Sequence, residues 1–255
     1  MKTYKGYLID LDGTMYRGVE EIKEASSFID RLKEKRIPYL FVTNNSSRTP
    51  AQVAEKLNSF RISATPEQVF TASTATANYM FEQKPQAAVY MIGEEGLRSA
   101  LCEKGFTLVE HERPDFVVCG IDRSITYEKL ATACLAVRNG AGFISTNSDA
   151  AIPTERGLLP GNGSLTSVIA VSTGTAPTFV GKPEAIIMEQ ALQVLGTKKE
   201  ETLMVGDNYQ TDILAGIHAG IDTLLVHTGV TKKEHLVHIE QQPRYTRNNL
   251  DEWEI

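Results

Sequence analysis

Short apolar runs alternate with amphipathic helical stretches along most of this 255-residue chain, and that alternation constrains its fold more than any other feature. Strands separated by helix-length segments cannot pair as hairpins, so they form βαβ units and a parallel sheet with helices on its faces. Tyr7-Leu8-Ile9 is such a run and ends at Asp10. A helix follows, with Ile22, Ala25, Ile29 and Leu32 at steps of three and four. Tyr39-Leu40-Phe41-Val42 is a second run and ends at Thr43. Thr49-Pro50-Ala51-Gln52 reads as a capping box with proline at the first helical position, opening a helix whose buried face holds Val53, Leu57 and Phe60.

The same grammar returns late in the chain. Thr178-Phe179-Val180 leads to Gly181-Lys182-Pro183, and a helix with Ile187, Ala191 and Val194 follows. Leu203-Met204-Val205-Gly206 leads to Asp207, then a helix runs through Ile213 to Ala219, and Thr223-Leu224-Leu225-Val226 is a last strand. Between these parts lies a block with its own alternation: strands at 88–92, 116–119 and 142–145, and helices at 94–103 and around Leu130, Cys134 and Val137. The expected organisation is therefore an α/β fold, a doubly wound parallel-sheet core at 1–72 and 179–255, with a smaller α/β cap domain inserted at 73–178.

Composition removes several functions. The net charge is −6, from 26 basic and 32 acidic residues, where a phosphate-backbone binder presents a basic face. The three cysteines, Cys102, Cys119 and Cys134, are odd in number and form no Cys-x-x-Cys pair, so they are expected as buried small hydrophobes in a reducing compartment. The longest uncharged stretch, 157–181, is broken by prolines and glycines and is rich in Ser and Thr, unlike a membrane span. The N-terminus lacks the pattern of a signal peptide, and a cytoplasmic protein is expected. Gly161-Asn162-Gly163-Ser164 lacks the lysine of a P-loop and reads as a hinge-like loop before a helix. His235 and His238 fall on an expected charged C-terminal helix, where a solvated face is favoured over a metal site. No Gly-x-Ser-x-Gly elbow is present.

In open parallel sheets ligands bind beyond the carboxyl ends of the strands. Four expected strands end in polar, reactive residues: Asp10, Thr43, Lys182 and Asp207. The first end reads Asp10-Leu11-Asp12-Gly13-Thr14. Asp and Gly are also ordinary turn formers, but Asp-x-Asp-Gly-Thr arises by chance in only roughly 0.3% of chains this long.

These segments resemble the haloacid dehalogenase-like hydrolase superfamily over nearly the whole chain. Asp10-Leu11-Asp12-Gly13-Thr14 matches its first motif, Thr43-Asn44-Asn45-Ser46 the second, Gly181-Lys182-Pro183 the third, and Gly206-Asp207-Asn208-Tyr209-Gln210-Thr211-Asp212 the fourth. The insertion, with Thr146-Asn147-Ser148-Asp149 inside it, looks like that of the 4-nitrophenylphosphatase, NagD-like, subfamily. The resemblance implies a Mg²⁺-dependent phosphomonoesterase acting on small phosphorylated metabolites, nucleotide or sugar phosphates. A carboxylate can attack phosphorus and form an aspartyl-phosphate, which divides one hard step into two easier ones. The resemblance thereby implies Asp10 as the nucleophile, with Asp12 placed to protonate the leaving alcohol and then take a proton from the attacking water. It implies metal ligation by the Asp10 side chain, the Asp12 backbone carbonyl and the Asp207 side chain, with Asp212 orienting the ligands or simply charging a helix N-terminus.

Lys182 would neutralise charge on Asp10 and the phosphoryl group, and Thr43, Asn44 and Asn45 would contact phosphoryl oxygens. Gly120 to Arg123 and Asn147 to Glu155 are the cap segments expected to face substrate, with Asp122, Arg123, Asn147 and Asp149 as candidates. Asp122 and Arg123 could equally form a turn and a surface ion pair. The cap is expected to close over the site and exclude bulk water. A small-molecule phosphate ester is the expected partner, with no nucleic acid or membrane, and homo-oligomers are compatible with the family. Two other readings stay open: a phosphotransferase or phosphomutase on the same scaffold, and a non-catalytic phosphate-ligand binding protein.

Overall fold

The structure is a computed structural model that describes residues 2–154 and 156–255. Two compact units divide the chain: the first takes in 1–43, 50–70 and 182–255, and the second 44–49 and 71–181.

The first unit carries a six-stranded sheet in the spatial order Tyr245–Arg247, Asp222–Val226, Thr202–Gly206, Gly6–Ile9, Tyr39–Thr43, Val69–Thr71. Gly6–Ile9 pairs in parallel with both Tyr39–Thr43 and Thr202–Gly206, with Ile9 opposite Phe41 on one side and Val205 on the other. The chain first builds the sheet outward from Gly6–Ile9 in one direction and later in the other. Gly6–Ile9 and Thr202–Gly206 thus flank a topological switch point, the place where such sheets open a crevice at their carboxyl ends. Asp10 and Asp207 are the residues that leave those two strands.

The elements form where the pattern demands. Helix Lys23–Glu34 buries Ala25, Phe28, Ile29 and Leu32 on one face. Helix Pro50–Ser59 buries Val53, Ala54 and Leu57, while Phe60 lies beyond its end and packs only partly against the core. Strand Tyr245–Arg247 was not foreseen; Arg244 and Arg247 obscure its apolar character, and its pairing with Asp222–Val226 is parallel. Behind it, Trp253 is buried against the rings of Tyr4 and Tyr245 and donates its indole N–H to Tyr7 Oη at 3.2 Å. Arg31 donates to the carbonyls of Leu250 and Trp253, both at 2.7 Å.

The second unit has its own parallel sheet, ordered Thr178–Phe179, Gly142–Ser145, Phe116–Cys119, Ala88–Ile92, Thr107–Leu108, with helices that include Tyr127–Arg138 and Asn162–Thr173. An antiparallel ribbon, Ala151–Thr154 with Gly157–Pro160, accompanies it. Three expectations are corrected. Thr178–Phe179 pairs with Gly142–Ser145 in this second sheet, so Lys182 does not follow a core strand. Helix Asn162–Thr173 begins inside the expected hinge-like loop, with Gly161 as its N-cap. The charged C-terminal helix is only a short 3₁₀ turn, Lys233–Leu236, and His238 lies beyond it. Cys119 and Cys134 are buried as expected, but Cys102 is exposed. Among the described residues no helix is long and apolar enough to cross a membrane.

Trp253 makes a stability prediction. Truncating a fully buried, ring-packed Trp removes apolar burial and leaves a cavity. Trp253→Ala should cost about 3–5 kcal/mol of unfolding free energy in urea titration; a loss under about 1 kcal/mol would contradict this packing role.

Candidate active site

Four buried charged side chains, Asp10, Lys182, Asp207 and Asp212, gather beyond the carboxyl ends of the core strands. Lys182 has a side-chain exposure of 2% and stands 2.5 Å from Asp10 Oδ1 and 2.7 Å from Asp212 Oδ1. It also donates to the Val42 carbonyl at 3.1 Å. Burial alone would drive a lysine neutral, but the adjoining Asp10 and Asp212 carboxylates override it and hold the ammonium pKa above the ordinary lysine value.

Asp212 reaches this position because the chain after Asn208 opens with a single π-helical turn, Tyr209–Ile213, before helix Leu214–Ala219. The expected uninterrupted helix is thereby corrected. Such wide turns occur frequently at functional sites. Asp212 Oδ2 accepts the Asn208 N–H at 3.0 Å, and Oδ1 accepts from Thr211 Oγ1 at 3.2 Å as well as from Lys182.

Asp207 lies in a narrow slot. Its Oδ2 accepts the Val230 N–H at 2.7 Å, and Oδ1 faces Thr14 Oγ1 at 3.2 Å. Thr14 Oγ1 also lies 3.4 Å from Asp10 Oδ2, so one hydroxyl links the two aspartates. Gly13, at φ +99°, closes one side of the slot; a Cβ there would lie 2.3 Å from Asp207 Oδ2. The turn holding Gly13 is tight: the Met15 N–H donates to the Leu11 carbonyl and the Gly13 N–H to the Tyr16 carbonyl, both at 2.7 Å. Asp12 is exposed and accepts the Gly18 N–H at 3.1 Å.

Three carboxylates beside one ammonium leave an excess of negative charge. The Asp10 pKa is raised well above the ordinary value, first by burial and then by the Asp212 charge, against the pull of Lys182. Asp207 is pushed up to about 7 by burial and by Asp212, against the Val230 N–H and Thr14 hydroxyl. Asp10, Asp207 and Asp212 bring carboxylate oxygens within 4.8 Å of one another, a donor set of hard oxygens able to hold a metal ion such as Mg²⁺.

The other sequence candidates are placed as follows. Thr43 ends strand Tyr39–Thr43 and is buried. In the second unit, the Asn44 side-chain amide donates to Asp149, at 3.1 and 3.3 Å to its two oxygens. Asn147 donates to the Asn44 carbonyl at 2.9 Å, and its own Oδ1 accepts the Asp149 N–H. Asn45 Oδ1 accepts the N–H groups of Ser47 and Arg48, which makes it the organiser of a turn. Asp122 is buried, caps the Ser124 N–H at 2.8 Å and pairs with Lys129 at 2.6 Å. Arg123 pairs with Glu94 at the surface. Of the segment 147–155, Glu155 lies outside the described residues. Sequence reasoning missed Thr228 to Thr231, although this loop follows a core strand and supplies the amide that holds Asp207.

Residues 7–107 match the family described as haloacid dehalogenase-like hydrolase, and residues 179–253 a second one described as HAD-hydrolase-like. The chain is 68% identical over 253 residues to the 5'-nucleotidase YutF of Bacillus subtilis, covering 99% of this chain and 98% of that protein. It is 56% identical to the acid sugar phosphatase of Staphylococcus haemolyticus, covering 98% of this chain and 95% of that one. Among solved structures it is similar to a double-mutant thermostable NPPase from Geobacillus stearothermophilus, with 63% identity, TM-score 0.94 and coverage of 100% and 99%. NagD from E. coli K-12 is more distant in sequence, at 31% identity, but matches with TM-score 0.93 over 99% of each chain.

The chain belongs to the haloacid dehalogenase-like hydrolases. Within them it is NagD-like, and it is an enzyme, a phosphatase.

Asp207 carries a pH prediction for chelator-treated protein. Unfolded, its carboxyl ionises at the ordinary value of 3.8; folded, at about 7. Between those values the folded chain keeps a proton that the unfolded chain has lost, so this group's contribution to stability falls as pH rises through the window. Asp207→Asn can keep both bonds, with its carbonyl toward Val230 and its amide toward Thr14. In EDTA it should exceed wild type by on the order of 2–4 kcal/mol at pH 8 and by little at pH 4.5, read by urea denaturation. An equal gap at both pH values would refute the assignment.

Proposed function

We propose that the chain is a Mg²⁺-dependent phosphomonoesterase that hydrolyses small phosphorylated metabolites, nucleotide or sugar phosphates, through an aspartyl-phosphate on Asp10. The observation that carries this reading is the pairing of Asp10 and Asp207 across the switch point with Lys182 held against Asp10 at 2.5 Å.

Asp10 attacks phosphorus, and the ester oxygen leaves as Asp12 donates a proton to it. Asp12 then takes a proton from water as that water attacks the acyl phosphate, releasing inorganic phosphate and restoring the Asp10 carboxylate. Asp12 suits this exchange because its side chain is exposed and accepts the Gly18 N–H. Lys182 keeps the Asp10 carboxylate oriented and offsets the charge of the incoming phosphoryl group.

The Asp10 and Asp207 side chains and the Asp12 carbonyl would hold Mg²⁺, which supplies Lewis-acid neutralisation of phosphoryl oxygens. Asp212 orients Lys182, as its bonds to that ammonium and to the Asn208 N–H support. Thr43, Asn44 and Asn45 line the phosphoryl end in this proposal, with Asn44 aligned by Asp149. Asn147 and Asp149 are the proposed cap residues. Asp122 and Arg123 fit the turn and ion-pair reading that their partners support.

Two variants and one chelator test the reading with p-nitrophenyl phosphate. Asp10→Asn should lower kcat by about 10³-fold or more while the far-UV spectrum is retained. Lys182→Met should also lower kcat by about 10²-fold or more. EDTA should stop turnover and Mg²⁺ restore it. Wild-type turnover by Asp10→Asn, or full activity in EDTA, would sink the mechanism. A screen of nucleoside and sugar monophosphates by specificity constant would name the substrate class. An isomeric phosphate ester without free phosphate would favour the mutase reading, and binding without turnover the non-catalytic one.

A further inference from the structure

The loop Thr228-Gly229-Val230-Thr231 makes contacts that none of the catalytic assignments uses. It follows strand Asp222–Val226, so it leaves the same edge of the sheet as Asp10 and Asp207. Each of its residues touches one of two other loops. Thr228 Oγ1 is buried and donates to the Gly13 carbonyl at 2.6 Å. Gly229 brings its backbone against the Asp207 carboxylate; a Cβ there would lie 1.9 Å from Oδ2 and 2.8 Å from the Gly13 Cα. Val230 gives its N–H to Asp207 Oδ2 at 2.7 Å. The Thr231 N–H donates to the Asp207 carbonyl at 3.1 Å, and its Oγ1 accepts the Tyr209 N–H at 2.8 Å.

We propose that Thr228–Thr231 is a positioning strap that sets the spacing between the Asp12–Gly13 turn and the Asp207 carboxylate, with Thr228 as its key residue. The inference rests on the proposed Mg²⁺ site, because those two loops carry the Asp12 carbonyl and Asp207. The Asp12 carbonyl shares a peptide plane with the Gly13 N–H, which donates to Tyr16, so its direction is fixed from one side. Thr228 fixes the next carbonyl, and Arg17 donates to the Thr228 carbonyl, so the turn and the strap grip each other twice. Asp207 sits between Gly13 and Gly229, neither of which leaves room for a side chain. With the Thr228 hydroxyl removed, the turn loses its tie to the loop that holds Asp207, and the two ligand-bearing loops can drift apart.

Thr228→Val keeps shape and removes the hydroxyl; Thr228→Ser keeps the hydroxyl. Partners that orient metal ligands are worth roughly 10–100-fold in metal affinity. The experiment is a substrate-free Mg²⁺ titration of the thermal unfolding midpoint, repeated by calorimetry. Thr228→Val should weaken apparent Mg²⁺ affinity about tenfold or more, and Thr228→Ser should lie within about threefold of wild type. A Val variant that loses thermal stability in EDTA yet binds Mg²⁺ like wild type would overturn the proposal, as would failure of serine to restore affinity. Should Thr228→Val not fold, Thr231→Val against Thr231→Ser reads the same strap by the same titration, with the same two overturning results. A wild-type protein with no Mg²⁺-dependent shift would refute the metal reading itself, a result distinct from the failure of the strap.

Discussion

The ammonium of Lys182 lies within hydrogen-bond distance of both Asp10 and Asp212 in a region almost without solvent, and the rest of the site is arranged around that bridge. A buried lysine with one partner removed leaves an uncompensated charge, which is far costlier than the loss of a surface ion pair. The bridge therefore requires that Asp212 arrive beside Asp10, although 202 residues separate them in sequence. The wide turn at Tyr209–Ile213 brings it there. The Val42 carbonyl completes the lysine's surroundings from the neighbouring strand.

The bridge leaves Asp207 outside it. Among the described residues Asp207 has no cationic partner at hydrogen-bond distance; a backbone N–H and a threonine hydroxyl hold it. Burial and then the Asp212 charge raise its pKa, and those two dipoles offset the rise only in part. One ammonium cannot balance Asp10, Asp212 and Asp207 together, and a divalent cation in the proposed place would supply the missing charge next to Asp207. The overall charge of −6 says little about partners on this account. A few of the acids are concentrated where an anionic substrate would otherwise be repelled, and the strong local field comes from their arrangement.

Much of this was legible in the sequence because one rule, ligands beyond the carboxyl ends of parallel strands, picks out Asp10, Thr43 and Asp207 directly. Lys182 was picked through the same rule; its side chain lies beside Asp10 and Asp212, but its expected strand Thr178–Phe179 belongs to the second sheet. The strap obeys the rule as well. It escaped notice because Thr, Gly and Val announce no chemistry, and its contribution comes from main-chain atoms and two hydroxyls that spacing cannot reveal. The ribbon 151–160 was hidden by Pro153 and Pro160, which speak against a central strand; a two-stranded ribbon has only edges and tolerates them. The strand Tyr245–Arg247 was hidden because three residues, one of them an arginine, carry no alternation to read.

In the proposed mechanism the core site addresses the phosphoryl group: its side chains are carboxylates, an ammonium and hydroxyls, groups suited to phosphoryl oxygens and a cation. Discrimination between leaving groups must come from residues that stand apart from that charge balance. Asn147 and Asp149 fit the requirement in a particular way. They hold Asn44, and Asn44 is joined by one peptide bond to Thr43 at the end of the core strand. On the proposed reading, a change at Asp149 would act on Asn44, which its carboxylate holds and which follows Thr43 in the chain. Under the proposed mechanism, such a separation would let selectivity vary while the bridge and the proposed cation site stay intact.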